Sequence, residues 1–269
     1  MIDKVREWVT GQGYPLEMRT AKAFRAGQFE VHQSEIYFDE EAGKTREIDL
    51  IAVAPDIVGL TRINFAVECK SSKKPWVIFS SNQATAGMNI FYSYAVMSQT
   101  ACEALMDIAR SDPNNLKNPF DFALFQRLKW LRKDKYIGYT FRQAFSETDN
   151  AYTALVSAMR AACHPINKAD ERKVPHFQIV FPVIVIDSPL VHCYLDENNE
   201  MQLEQVDSGE VIFTAPDQER ITTCIRIVTA DWLPQFVTEA AKEVEQIRLE
   251  LLPKERAIWH DLFGIDYPA

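Results

Sequence analysis

Apolar residues recur along the first part of the chain in two different periods, and the change of period marks where helix gives way to strand. After Pro15, residues Leu16, Ala23 and Phe24 recur at helical spacing. A proline is tolerated in the first helical turn, where its missing N–H has no partner to lose. The pattern predicts a helix from Pro15 to near Gly27. Phe29 to Phe38 is rich in β-branched and aromatic residues and predicts a strand, and Asp39-Glu40-Glu41-Ala42-Gly43 makes a polar turn after it. Arg46 to Ala54 and Arg62 to Lys70 predict a second and a third strand.

Residues 82–110 are largely apolar and predict a long helical region, broken at Gly87 and capped by Ser80 or Ser81. Residues 111–119 hold two prolines and three asparagines and predict a loop. Phe120–Leu131 and Ala151–Cys163 again read as helix. From Pro175 the pattern turns to strand: Phe177–Ile186, Val191–Leu195, Met201–Val206, Val211–Thr214 and Thr222–Val228 follow at short intervals, with a hairpin-type turn at Asp196-Glu197-Asn198-Asn199. Pro182 favours an edge position or a bulge for the first of these. Asp231 is placed to cap a last long helix with Pro234 in its first turn. Phe236, Val237, Ala240, Val244, Ile247 and Leu251 form one stripe on that helix, suited to a core more than to a dimer seam. The expected organisation is a single domain over 1–269, with a compact α/β unit at 14–110 and a helical insertion within 111–175. A strand-rich half, 176–269, completes the sheet and ends in the long helix.

Composition narrows the function only a little. The chain has 269 residues, 47% hydrophobic and 25% charged, which suits a folded domain with a sizeable core. Its net charge of -9 argues against a protein that mainly coats duplex DNA, so any nucleic-acid contact must come from a local basic surface. Cys69, Cys102, Cys163, Cys193 and Cys224 form no CxxC pair, and five is odd, which predicts reduced thiols. The histidines have no ligand spacing with them, so a structural zinc site is not expected. The opening Met1–Arg6 lacks a long apolar run after its charges, so no signal peptide is expected. The longest apolar run is far too short to span a bilayer. A cytoplasmic location without membrane contact is the expectation.

The chemistry is concentrated in two predicted strands, Arg46-Glu47-Ile48-Asp49-Leu50-Ile51-Ala52-Val53 and Asn64-Phe65-Ala66-Val67-Glu68-Cys69-Lys70-Ser71. Strand side chains alternate, so Glu68 and Lys70 share one face and Cys69 packs on the other. Asp49 stands among Ile48, Leu50 and Ile51, company in which a charge needs a partner or a metal. Hard divalent cations prefer oxygen ligands. Two carboxylates on adjacent strands supply them, and the backbone carbonyl of Cys69 can add a third. A lysine beside the metal can orient water or stabilise a pentavalent phosphate.

Asp49 followed by Glu68-Cys69-Lys70 at a strand end resembles the D…(D/E)xK motif of the PD-(D/E)XK nucleases. The resemblance spans roughly residues 14–95 and includes the order of elements: an acid-bearing helix, a hairpin, "REIDLIA" and "FAVECK". The proline that often precedes the first aspartate is absent, with Ile48 in its place. The resemblance implies a restriction-endonuclease-like core and a Mg²⁺- or Mn²⁺-dependent nuclease, with DNA as substrate, compatible with restriction, repair or phage defence. It implies that Asp49 and Glu68 bind metal, that Lys70 assists the nucleophile, and that Glu17 matches the helix acid of many members. Gln83 matches a glutamine that some members carry in the next helix.

Nucleic-acid contacts are sought at Lys73, Lys74 and Trp76, the last as a stacking platform for a base. The densest basic stretch is Arg127, Lys129, Arg132, Lys133 and Lys135, which reads equally well as a solvated helix face. A homodimer or a partner protein is compatible with the acidic balance. The competing reading is a non-catalytic binding or scaffold module of the same fold, or a subunit that needs a partner for activity.

Overall fold

A computed structural model describes residues 1–39, 43–56, 58–84, 95–111, 136–171, 173–214 and 221–268. The chain opens with α1 (Ile2–Thr10) and α2 (Tyr14–Ala26), then β1 (Glu30–Asp39), β2 (Lys44–Val53), β3 (Thr61–Lys70), β4 (Trp76–Ser81) and β5 (Val96–Met97). It continues through α3 (Gln99–Ser111), β6 (Ile137–Gln143), α4 (Asn150–Asp170), β7 (Phe177–Ile186), β8 (Leu190–Leu195), β9 (Met201–Val206), β10 (Ser208–Thr214) and β11 (Thr222–Thr229), and ends in α5 (Leu233–Phe263). The strands join one 11-stranded mixed sheet in the order β1-β2-β3-β7-β11-β10-β6-β4-β8-β9, with β5 beside β7.

The sheet is covered on both faces. Leu16, Ala21 and Phe24 of α2 share one apolar cluster with Ala101 and Leu105 of α3 and the Phe236–Leu251 stripe of α5. Ala154, Ala158, Met159 and Ala162 of α4 pack into a second cluster against Ile184, Ile225, Trp76 and Phe141. Phe65 of β3 anchors the first cluster. It stacks on Phe181 at 5.3 Å and meets Phe24, Phe29 and Phe236 at 5.6, 5.4 and 6.2 Å. Phe65→Ala is therefore expected to cost about 3–5 kcal/mol in a urea titration. A loss near 1 kcal/mol would mean that the aromatic group repacks around the cavity.

The mixed α/β class, the helix α2, the early three-strand meander, the later strands and the long last helix agree with the sequence pattern. Several elements do not. The helix α1 (Ile2–Thr10) is one that the pattern did not predict. The segment expected to be helical from 82 begins its described helix only at Gln99, and Val96–Met97 is a short strand. Ser80 and Ser81, expected as helix caps, are the last two residues of β4. Within 111–175, Ile137–Gln143 is a strand of the sheet, paired with β4 and β10, so that segment is not purely helical. Gly87 and the expected helix Phe120–Leu131 lie outside the described residues. Asp231 does not cap α5: the helix starts after Trp232 without a side-chain cap, although Pro234 does occupy its first turn.

Pro182 is the most instructive departure, because β7 is a central strand and not an edge. Gln178 uses its N–H toward Ser98 Oγ (3.1 Å) and its C=O toward Ser98 N–H (2.9 Å), on the β5 side. Ile186 offers its C=O to Ala230 N–H on the β11 side at 2.7 Å. Even-numbered residues of β7 thus address β5 and β11, and odd-numbered ones address β3. Pro182 falls between Val180, which pairs with β5, and Val183, where pairing with β11 begins. Its missing N–H lies at the changeover between two neighbours, where the ladder loses nothing.

Candidate active site

The site is built where β2 parts from β3. Their antiparallel pairing runs from Val53↔Asn64 to Leu50↔Val67 and goes no further along β2. Beyond it β2 stays paired only with β1. Alternation in β2 breaks at the same place: Leu50 and Ala52 face the α2 side, yet Ile48 joins Ile51 on the α4 side. Ser34, opposite Asp49 in the β1–β2 register, has φ of 54°, a left-handed conformation that marks the bend. Asp49 therefore sits at a fork. Its Oδ2 accepts the Cys69 N–H at 2.7 Å and takes the place of the strand carbonyl that has turned away.

Glu68 and Lys70 alternate along β3 onto one face, and Lys70 Nζ donates to Glu68 Oε1 at 2.5 Å. Cys69 points the other way into the first apolar cluster, buried beside Thr20, and burial pushes its thiol well above the usual range. This is packing, as the alternation predicts. Glu17 stands half-buried in the first turn of α2, and among its electrostatic neighbours are Asp49, Glu47 and Lys70. Asp49, Glu68, Lys70 and Glu17 thus lie near enough at the carboxyl end of β3 to perturb one another's ionisation. Sequence reasoning passed over Glu47. It shares the ribbon face of Asp49 by alternation, which is the signal that could have found it.

The electrostatics are those of crowded, poorly hydrated acids. Desolvation is the largest influence on Glu68, followed by repulsion from Asp49, and together they outweigh Lys70 and push the carboxyl up to about 7. Asp49 is raised by burial first and by Glu47, against the pull of the Cys69 N–H and Lys70. Glu17 is raised by burial, Asp49 and Glu47. Burial opposes the Lys70 ammonium, but Glu68 and Asp49 outweigh it and raise its pKa. The lysine is therefore a cation at neutral pH.

A divalent ion bound among these groups would relieve such crowding. One oxygen of Asp49 and one of Glu68 are engaged by the protein, and the second oxygen of each accepts no hydrogen bond among the described residues. Those oxygens and the Cys69 carbonyl suit a hard cation that keeps several waters. No group of three or more His, Cys, Asp or Glu side chains among the described residues is arranged to hold a metal ion by itself. A cation held there would need water to complete its shell.

The other sequence candidates separate. Trp76 is buried, 1% exposed, and stacks on Phe141 at 5.0 Å, so it offers no platform to a base. The alternation of β4 turns its indole inward, which the adjacent Lys73-Lys74 run concealed. Lys73 and Lys74 are exposed, and Lys74 Nζ donates to Phe145 O at 2.6 Å. Gln83 is exposed in a turn after β4, where its N–H donates to Ser81 Oγ. Arg127, Lys129, Arg132 and Lys133 lie outside the described residues. No helix among the described residues is long and apolar enough to cross a membrane. The chain matches no protein-family model, no curated protein and no solved structure in comparisons with each.

Proposed function

We propose that this chain is a metal-dependent nuclease of the PD-(D/E)XK type that hydrolyses phosphodiester bonds, with DNA as its substrate. The observation that carries the reading is the fork at Asp49. There the chain breaks a sheet ladder to bring an aspartate against Glu68 and Lys70, and it tolerates raised carboxyl pKa values to do so. Perturbed acids clustered around one cation are a signature of function more often than of stability.

Asp49, Glu68 and the Cys69 carbonyl would hold Mg²⁺ or Mn²⁺, with Glu17 supporting that shell. Once bound, the ion would polarise the phosphate and make an attacking water more acidic. Lys70 is protonated, so it serves as a cation that stabilises charge on the phosphate and orients water, not as the base that removes a proton. The Cys69 N–H fixes the Asp49 carboxylate, so little reorganisation is needed when substrate arrives.

A second reading has its own support. Lys70 already neutralises part of Glu68, and the acid cluster is sparse, as expected of a scaffold that keeps the fold without the reaction. Incubation with single- and double-stranded DNA and RNA, with and without Mg²⁺ or Mn²⁺, separates the two. Metal-dependent cleavage that is lost in Lys70→Ala supports the nuclease. Intact nucleic acid in every mixture, with no effect of metal on melting, supports the scaffold or a subunit that awaits a partner.

A further inference from the structure

The chain that leaves Lys70 is held by a carboxylate from the neighbouring strand. Ser71 Oγ donates to Asp187 Oδ2 at 2.6 Å, and Ser72 N–H donates to Asp187 Oδ1 at 2.8 Å. Both oxygens of one side chain thus bind two consecutive residues directly after the lysine. Asp187 follows β7, which runs parallel to β3 in unbroken register from Thr61↔Phe177 to Lys70↔Ile186. The clamp sits where the ladder between these strands ends. It is extended outward: Ser72 Oγ accepts from Gln143 Nε2 at 2.6 Å and from Lys74 N–H at 3.0 Å, and Gln143 Oε1 accepts from Asn150 Nδ2 at 2.9 Å. The exit of β3 is thereby tied to β7, to the end of β6 and to the start of α4.

We propose that Asp187 is a positioning residue for Lys70: by fixing Ser71 and Ser72 it sets the end of β3, and with it the direction in which Lys70 carries its ammonium toward Glu68. Lys70 is the last residue of its strand and has a long, flexible stem. Strand ends fray unless something holds them. Asp187 and Ser71 are exposed, so their bonds contribute little to the sheet as a whole. Their effect is local, on the backbone that carries one side chain. The catalytic consequence rests on the nuclease reading above; the positioning itself does not.

Two substitutions and two readouts test this in the full chain. Asp187→Asn keeps an acceptor for Ser72 N–H and an amide that can donate to Ser71 Oγ, whereas Asp187→Ala removes both partners. The first readout is the ¹⁵Nζ ammonium resonance of Lys70, identified by its loss in Lys70→Arg. It should be retained in Asp187→Asn and broadened or shifted in Asp187→Ala. The second readout is cleavage, for which Asp187→Ala should lower kcat on the order of 10–100-fold with KM held, while Asp187→Asn restores most of it. If Asp187→Ala does not fold, Ser71→Ala removes one arm of the clamp and should also disturb the Lys70 resonance. An unchanged Lys70 resonance in Asp187→Ala or Ser71→Ala overturns the proposal. So does an Asp187→Asn variant as impaired as Asp187→Ala, because charge and not the held backbone would then be at work. If the wild-type chain cleaves nothing but its Lys70 resonance still responds to Asp187→Ala, the positioning stands and the nuclease reading fails.

Discussion

On the proposed nuclease reading, Asp49→Asn is expected to erase most of the thermal stabilisation by Mn²⁺, whereas Lys70→Ala should keep that stabilisation and lose cleavage. Asp49 lies where β2 leaves β3, with Oδ2 on the Cys69 N–H and its other oxygen available to a cation. Asparagine preserves the volume and can still accept the Cys69 N–H, but it contributes no ligand charge. Metal that binds only the folded state stabilises it by about 2.7 kcal/mol at a concentration one hundred times its Kd. For a chain of this size that corresponds to a rise on the order of 5 °C. Lys70→Ala removes a competing cation from Glu68, so metal affinity should hold or increase. Cleavage should vanish because the charge proposed to stabilise the phosphate is gone. Differential scanning fluorimetry across a Mn²⁺ titration, beside a DNA cleavage assay, reads both halves. A full metal-induced shift in Asp49→Asn would place the ion elsewhere and remove the central support for the mechanism.

The grouping of Asp49, Glu68 and Lys70 was legible because its signals are local. The alternation that puts Glu68 and Lys70 on one face spans two residues, and Asp49 is conspicuous among Ile48, Leu50 and Ile51. What the alternation could not supply is the break in it: the fork lies opposite Ser34, whose positive φ no glycine announces in the sequence. The rest of the sheet was harder to read for the same reason. β4 looked like a loop and a helix start because Lys73-Lys74-Pro75 precedes it and two serines end it. It is a strand because β6 and β8 pair with it from distant parts of the chain. Pro182 signalled an edge by a rule that is sound for one neighbour, but β7 changes neighbours at that residue. Asp187 left no trace in any motif, since its contact with Ser71 closes over 116 positions.

The stability of the metal-free protein should fall as pH rises from about 4.5 to about 7, and the fall should belong largely to Glu68. Its carboxyl lies near 4.5 when unfolded and is pushed up to about 7 in the fold, chiefly by burial and then by Asp49. Between those values the folded state holds a proton that the unfolded state has released, so folding is favoured at the acid end and weakened toward neutrality. The difference amounts to on the order of 3 kcal/mol, shared with the groups that titrate alongside it. Lowered carboxyls elsewhere, such as Asp149 beside Arg142, slope the other way, so the measurement must be a difference. Urea titrations of the wild type and of Glu68→Gln at several pH values supply it. Glutamine does not titrate, so its stability relative to wild type should increase steadily across the window and level off above it. Saturating Mn²⁺ requires the carboxylate and expels the proton, so it should flatten the wild-type fall. By the same linkage, Mn²⁺ should bind about tenfold more weakly for each pH unit below 7. Parallel pH profiles for the wild type and Glu68→Gln, or a metal affinity indifferent to pH across this range, would show that Glu68 is ionised without help, and the case for a cation at the fork would lose its electrostatic basis.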